Sequence, residues 1–209
     1  MVIEPQKILS FISSRASAKI PGDGEVSLDE VIKALEVATS APSAHNAQPW
    51  RFVIVKDPKV KEELIEEMAA LWREDLRKDG LDEGTIEEII RASTERSMKA
   101  SVIIVVCLTM EDMHKYPDDR RKACEHIMAV QSVAAAIENL LLALHAMDIS
   151  ACWRSSALFA PEVVKKVLRL PDSFEPQAIV EVSRGGSSSK PPRKPLGEVA
   201  CLNFWGNPI

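Results

Sequence analysis

Three features of the chain predict an α+β fold. The runs "RFVIV" (51–55) and "SVIIVVCLT" (101–109) are rich in β-branched residues and short enough to be buried strands. Apolar residues recur at helical spacing from about Asp118 to Met147. Strands lie scattered among helices without strict βαβ alternation, which argues against a doubly wound parallel sheet.

In chain order, residues 3–13 predict a short helix with apolar positions at Ile3, Ile8, Phe11 and Ile12, followed by the polar "SSRASAK". Ser27 and Glu30 form an S-x-x-E capping box. It opens a helix whose apolar face is Val31, Ala34, Leu35 and Ala38, and Pro42 ends that helix. Between the two β-branched runs lie charged helical segments, 59–79 and 82–98, separated by Gly80. The long helix carries Ile127, Val130, Val133, Ala134, Ile137, Leu140, Leu141 and Leu144 on one stripe. Alanines at 134–136 admit a second helix closely, so this element is the expected spine. "ISACW" is then a short strand, 161–169 a helix and "QAIVEVS" (177–183) a strand. Residues 184–209 are rich in Gly, Ser and Pro without period, and predict an extended arm lying on something such as a partner subunit. With no repeat and no boundary, 1–209 is one expected domain.

At 209 residues the chain can bury a full core without staples. A net charge of −5 gives no footprint for nucleic acid or an anionic membrane surface. "MVIEPQKILSF" lacks the basic and apolar regions of a signal peptide. Gln131, Glu138, Asn139 and His145 interrupt the most apolar window, which therefore reads as a buried helix rather than a membrane span. The four cysteines are far apart and are expected to be reduced thiols. The expectation is a cytoplasmic protein.

Nucleotide-binding motifs of the G-x-G-x-x-G and G-x-x-x-x-G-K-[ST] types are absent, as are G-x-S-x-G and H-E-x-x-H. Cys124 and His126 are two apart on a helix and point to different faces, so no metal site is expected there. Asp118 and Asp119 at a helix start complement its dipole. Gln131, Glu138 and His145 at seven-residue spacing read as a polar face. His45 reads as a turn residue.

Two segments concentrate cations and hydroxyls outside any amphipathic pattern. In "SSRASAKI", Arg15, Ser17 and Lys19 alternate, so an extended backbone projects them to one side. Such a trio can hold a phosphate through a fork, a hydroxyl and a point charge. In "KPPRKPLGEV", prolines stiffen the chain around Arg193. Taken singly, each segment reads sooner as a solvated loop than as an anion site. A third stretch, "SAPSAHNAQPWRF" (40–52), supplies a rigid turn with amides and hydroxyls suited to a flat heterocycle.

"RASAK", "APSAHNAQPWRF" and "PPRKPL", in this order, resemble the FMN-dependent nitroreductase superfamily, and the resemblance spans nearly the whole chain. It implies a sandwich with a central mixed or antiparallel sheet flanked by helices. It also implies an obligate homodimer, with the long helix at the interface and C-terminal arms exchanged. By the same resemblance Arg15, Ala16, Ser17 and Lys19 bind FMN. Arg15 and Ser17 would meet its phosphate and Lys19 the N1/O2 edge, while Arg193 completes the phosphate site. Pro42, Ser43, Ala44 and Asn46 would contribute to the flavin of the other subunit, with Gln48 and Trp50 structural. Trp153, Arg154 and Ser155 would pass near N5 and O4, and Arg96 matches a flavin-edge position.

Three further segments, "LWREDLRKDGLDEGTIEE", "YPDDRRKACEHIMAVQSVAAAIENLLLAL" and "CWRSSALFAPEVVKKVLRLPDSFEP", look like the flavin domain joined to the γ-glutamyl ligase of coenzyme F(420) biosynthesis. No segment of these 209 residues is expected to form the ligase. The implied activity is hydride transfer through flavin N5 from a donor such as NADH or NADPH to an electron-poor small molecule. That acceptor would be a dehydro precursor of a deazaflavin, with Trp72, Arg73 and Tyr116 at the substrate mouth. A broad nitro- or quinone reductase and a flavin- or partner-binding module without turnover are the alternatives.

Overall fold

The computed structural model describes residues 4–209, so Ile3 of the expected first helix lies outside the described residues. Seven helices and five strands follow in the order α1 (Pro5–Ser14), β1 (Ala18–Gly24), α2 (Leu28–Ala38), β2 (Trp50–Val55), α3 (Pro58–Lys78), α4 (Glu83–Lys99), β3 (Val102–Thr109), α5 (Asp119–Ala146), β4 (Ser150–Arg154), α6 (Pro161–Leu168), β5 (Phe174–Ser188) and α7 (Leu196–Val199). Tight 3-10 turns occupy Ala44–Asn46 and Ser156–Phe159.

The sheet is antiparallel throughout, and β5 is its hub. β5 pairs with β3 from Phe174 to Val182, with β4 from Ile179 to Ser183 and with β1 from Arg184 to Ser188. β2 closes the other side by pairing with β3. Every residue of β3 is buried, and its alternation serves two cores. Val102, Ile104, Val106 and Leu108 pack with Val31, Ala34 and Ala38 of α2 and Val133, Ile137, Leu140 and Leu144 of α5. Ile103, Val105 and Cys107 pack with Leu64 and Ile65 of α3 and Val164 of α6. Helices thus cover both faces, and each fully buried aliphatic side chain contributes about 1.5–3 kcal/mol. Burial pushes the Cys107 thiol up to about 12, so it is inert. All four cysteines are unpaired.

α5 is the one helix long and apolar enough to cross a bilayer among the described residues, and its buried stripe shows why: it is the spine of the first core. The stop and start signals act as their chemistry requires. Ser27 and Glu30 exchange hydrogen bonds as a complete capping box, and Asp118 caps α5 by accepting from the Arg121 amide. α3 and α4 fold back on each other through Ala69, Leu76, Ile86 and Ile90. Lys61 of α3 is buried and donates from Nζ to the carbonyls of Met98 (3.0 Å) and Ala100 (2.7 Å), satisfying acceptors left over at the end of α4.

One strand was not anticipated and one expectation needs correction. Ala18–Gly24 forms strand β1, which its Pro21, Gly22, Asp23 and Gly24 conceal from any β-propensity argument. The arm expected from residue 184 begins later, because β5 continues to Ser188 through Gly185 and Gly186. The glycines allow the two backbones to close up. A Cβ on Gly186 (φ +113°) would stand 2.7 Å from the Ile20 carbonyl oxygen and 2.9 Å from the Gly22 nitrogen. Gly185 (φ +75°) has nothing within 4 Å of such a Cβ. Gly186→Ala is therefore expected to lower the urea midpoint well beyond Gly185→Ala, which carries only the left-handed backbone cost of about 1–2 kcal/mol. Equal losses would contradict the close β1–β5 approach.

Candidate functional site

The centre of the site is a carboxylate buried in the sheet. Glu181 of β5 has 3% side-chain exposure. Its Oε1 accepts from the Ser97 hydroxyl at the end of α4 (2.5 Å), and its Oε2 accepts from Arg154 Nε on β4 (3.0 Å). Arg154 Nη2 donates to the Lys19 carbonyl on β1 (3.0 Å). One ion pair therefore locks α4, β4 and β1 onto β5. Burial pushes the neighbouring Cys152 thiol up, and Arg154, Glu181, Arg96 and Lys19 all act on it through charge.

Beside this cluster a cavity of roughly 530 Å³ is walled by Ile65, Met68 and Trp72 of α3, Ile90 of α4, Phe159 and the Arg96–Arg154–Ser155 group. Arg96 Nη2 donates to Ser93 Oγ (2.9 Å), but its Nε is buried without a hydrogen-bond partner. The cavity lining sets Arg96 and Arg154 against the carboxylates of Asp75, Asp79 and Glu181, so its charge is mixed, and the orphan Arg96 donor is the one buried polar atom short of an acceptor among the described residues. An unsatisfied guanidinium donor beside an apolar wall fits a flat, partly apolar group that carries hydrogen-bond acceptors, such as the ring system of FMN.

The structure thus brings Lys19, Arg96 and the adjacent Arg154 and Ser155 together from three separate segments. Trp153, next on β4, alternates to the other side of the strand and is 37% exposed. Arg15 diverges from Lys19: its Nε meets Glu138 Oε1 of α5 at 3.5 Å, and with Ala16 it lines a second cavity of roughly 300 Å³ bounded by Gly185 and Ser188. Ser17, between them, is half-buried. Arg193 donates only to the Pro191 carbonyl, while Lys190 reaches the Ser13 carbonyl and brings the arm back past the end of α1. The polar stripe on α5 turns out to receive α1, since Glu138 takes Arg15, and His145 bonds Ser14 (2.8 Å) and stacks on Phe11.

The turn after α2 is strained. His45, Asn46 and Gln48 all adopt positive φ (57°, 55° and 48°), each a conformation unfavourable to side-chain-bearing residues. Side-chain bonds hold it. Ser43 Oγ accepts from the Gln48 amide (3.1 Å), Ser132 Oγ from the Ala44 amide (3.1 Å), and His45 Nε2 lies 3.2 Å from Glu125 Oε1. Pro42 is exposed beside it. The turn thus sits on the first half of α5, whereas Arg15 sits on the second; Glu125 and Glu138 are about 20 Å apart along the axis. No single chain joins them in one site. Sequence reasoning missed Ser97, Glu181 and Glu125, because a lone Ser or Glu within a periodic segment carries no signal of its partner.

The sequence pattern of the nitroreductase family matches residues 12–185. A relative from Archaeoglobus fulgidus, provisionally named NADH dehydrogenase/NAD(P)H nitroreductase, is 30% identical over 148 residues, covering 71% of this chain and 67% of its own. A BluB-like flavoprotein from Clostridium difficile superposes with a TM-score of 0.76 at 19% identity, over 97% of this chain and 100% of that one. A protein from Desulfovibrio desulfuricans, provisionally called a nitroreductase and solved in complex with FMN, superposes with a TM-score of 0.70 at 24% identity, over 98% and 99%. The fold is the α+β nitroreductase architecture that the sequence predicts. The chain belongs to the nitroreductase family. The expected enzyme class, an FMN-dependent oxidoreductase of nitroreductase type, is thereby supported.

Arg154→Met leaves the buried Glu181 with Ser97 alone, and the expected loss is about 3 kcal/mol of stability, read by urea unfolding. Adding Glu181→Gln to that variant should recover part of the loss; strictly additive losses would show that the pair is not coupled.

Proposed function

We propose that this chain binds FMN between Lys19, Arg96, Arg154 and Ser155 on one side and Arg15, Ala16, Ser17 and Arg193 on the other, and passes hydride to an electron-poor small molecule. The observation that carries this reading is the orphan Arg96 donor beside a largely apolar cavity. FMN, when bound, supplies the centre that accepts and releases hydride. Lys19 and Arg96 hold positive charge where negative charge grows on reduction, in a wall fixed in advance by Glu181 and Arg154. Arg15 and Ser17 offer a fork and a hydroxyl to the phosphate, and Lys190 brings Arg193 toward the same end of the molecule. Ile65, Met68, Trp72 and Phe159 keep water from the acceptor's side.

NADH or NADPH is the proposed donor, in line with the name of the Archaeoglobus fulgidus relative. For the acceptor, the conjugated double bond of a deazaflavin precursor is supported by the cavity's lining. Trp72 comes from "LWREDLRKD", and Arg154, Ser155 and Phe159 from "CWRSSALFAP", both among the segments resembling the ligase-linked flavin domain. A broad nitro- or quinone reductase is the second reading, favoured by the apolar, unselective character of the same walls.

The functional unit is proposed to be a homodimer. α1 exposes Ile8, Leu9 and Ile12, α5 exposes Ile127 and the arm exposes Leu202, Phe204 and Trp205. A second copy covering these residues with its long helix antiparallel would bring its Pro42, Ser43, Ala44 and Asn46 to the Arg15 end of α5. The arm is in place to embrace that partner.

Purified protein is expected to be yellow, with a releasable flavin identified as FMN by mass. In anaerobic stopped-flow reduction by NADH or NADPH, Lys19→Ala should slow flavin reduction by about 10–100-fold. Its unfolding midpoint should stay unchanged, since Lys19 is exposed. Protein that stays colourless after added FMN overturns the reading, and an unchanged reduction rate with FMN bound removes the role of Lys19.

A further inference from the structure

Where the strained turn meets the first part of α5, three metal-binding side chains converge from separate parts of the chain. One ring nitrogen each of His45 and His114 and a carboxylate oxygen of Glu125 all lie within 4.8 Å of one another. The imidazole rings are stacked, with centroids 3.7 Å apart and planes 19° apart. Glu125 is the buried member, at 2% exposure, and its Oε2 accepts from the His114 amide (3.2 Å) while Oε1 faces His45. Among the described residues no Lys or Arg pairs with this carboxylate; the nearby Arg121 guanidinium lies over the Tyr116 ring instead. A buried carboxylate answered only by one amide and one imidazole is short of positive charge. His45 meanwhile holds a left-handed backbone to reach it.

We propose that His45, His114 and Glu125 bind a divalent transition metal of the zinc class, at a site separate from the cationic cluster around Arg154. Two imidazoles and one carboxylate match the His2Glu donor set that zinc takes while keeping a position for water. Bond lengths of about 2.0–2.1 Å place tetrahedral ligand atoms about 3.3 Å apart, so closure needs an approach of about 1.5 Å at the widest pair and a swing of the stacked rings out of parallel, so that both in-plane lone pairs meet at the ion. The His45–Glu125 contact, at 3.2 Å, is already at that spacing. The Glu125 bond to the His114 amide fixes the carboxylate and ties one ligand's backbone to another ligand, as supporting bonds around metal sites do. The metal neutralises the buried anion and pins the turn to α5. His45 also lines a broad polar depression with Asn46, Gln48, Arg51 and Asp112, which gives the ion a route from that side.

The full chain, dialysed against chelator and then titrated with cobalt(II) and zinc(II) chloride, tests this assignment. One metal per chain should bind, and the cobalt spectrum should show the bands of a nitrogen–oxygen site without thiolate charge transfer. His45→Ala and His114→Ala should each weaken cobalt binding by at least about tenfold. His45→Ala also removes one of the bonds that hold the turn, so His114→Ala is the deciding variant: its side chain is exposed and the substitution keeps the amide that anchors Glu125. Thermal melts of the metal-free variants check the apo fold directly, and zinc should raise the melting temperature of the parent chain but not of the variants. Absence of stoichiometric uptake overturns the proposal. So does uptake unchanged in both histidine variants, or a thiolate band that vanishes in Cys124→Ser, which would place the metal on the exposed cysteine beside Glu125.

Discussion

Glu181 lies on the one strand that touches three others, and its carboxylate is out of reach of water. A charge in that position is tolerated only with a cation and further hydrogen bonds in good geometry. Arg154 and Ser97 meet that demand, and meeting it dictates where β4, the end of α4 and the start of β1 must lie. The same constraint fixes what remains for chemistry. Arg154 is committed to Glu181, and Arg96, which also lines the cavity, keeps one buried donor without a partner. Structural and functional electrostatics are here divided among neighbouring residues.

Elements with internal periodicity were legible in the sequence. The capping box at Ser27 and Glu30, the stripe of α5 and the β-branched runs of β2 and β3 each encode their own geometry, and each forms as read. β1 was not legible, because "AKIPGDG" is held by backbone proximity to β5 rather than by side-chain preference. The cations of the site were visible as residue types, but their grouping was not. Lys19 and Arg15 alternate in sequence as if to act together, yet their side chains go to Arg154's neighbourhood and to Glu138 respectively. What separated them was the polar stripe on α5, whose role became readable only once α1 was laid against it.

The turn at 42–50 shows how strain is carried. Three left-handed residues within four positions would each cost about 1–3 kcal/mol in an unsupported loop. Ser43, Ser132 and Glu125 supply the compensating bonds, two of them from α5. A rigid helix therefore sets the shape of a loop that sequence alone marks only as a stop and a start. Conformational freedom is removed there before any ligand arrives, which lowers the ordering cost of binding.

The long reach of the β1–β5 pairing has a consequence for how the molecule is made. Ala18 pairs with Ser188, so the N-terminal strand has no partner until almost the whole chain has left the ribosome. α2, α5, β2 and β3 can condense earlier through shorter loops, whereas contacts this distant in sequence are slow to form. The segment from Arg15 to Lys19 must wait exposed, and the cationic wall closes last. Closure of that wall then becomes a late, post-translational event, and a chain truncated before β5 would lack the hub that joins β1, β3 and β4.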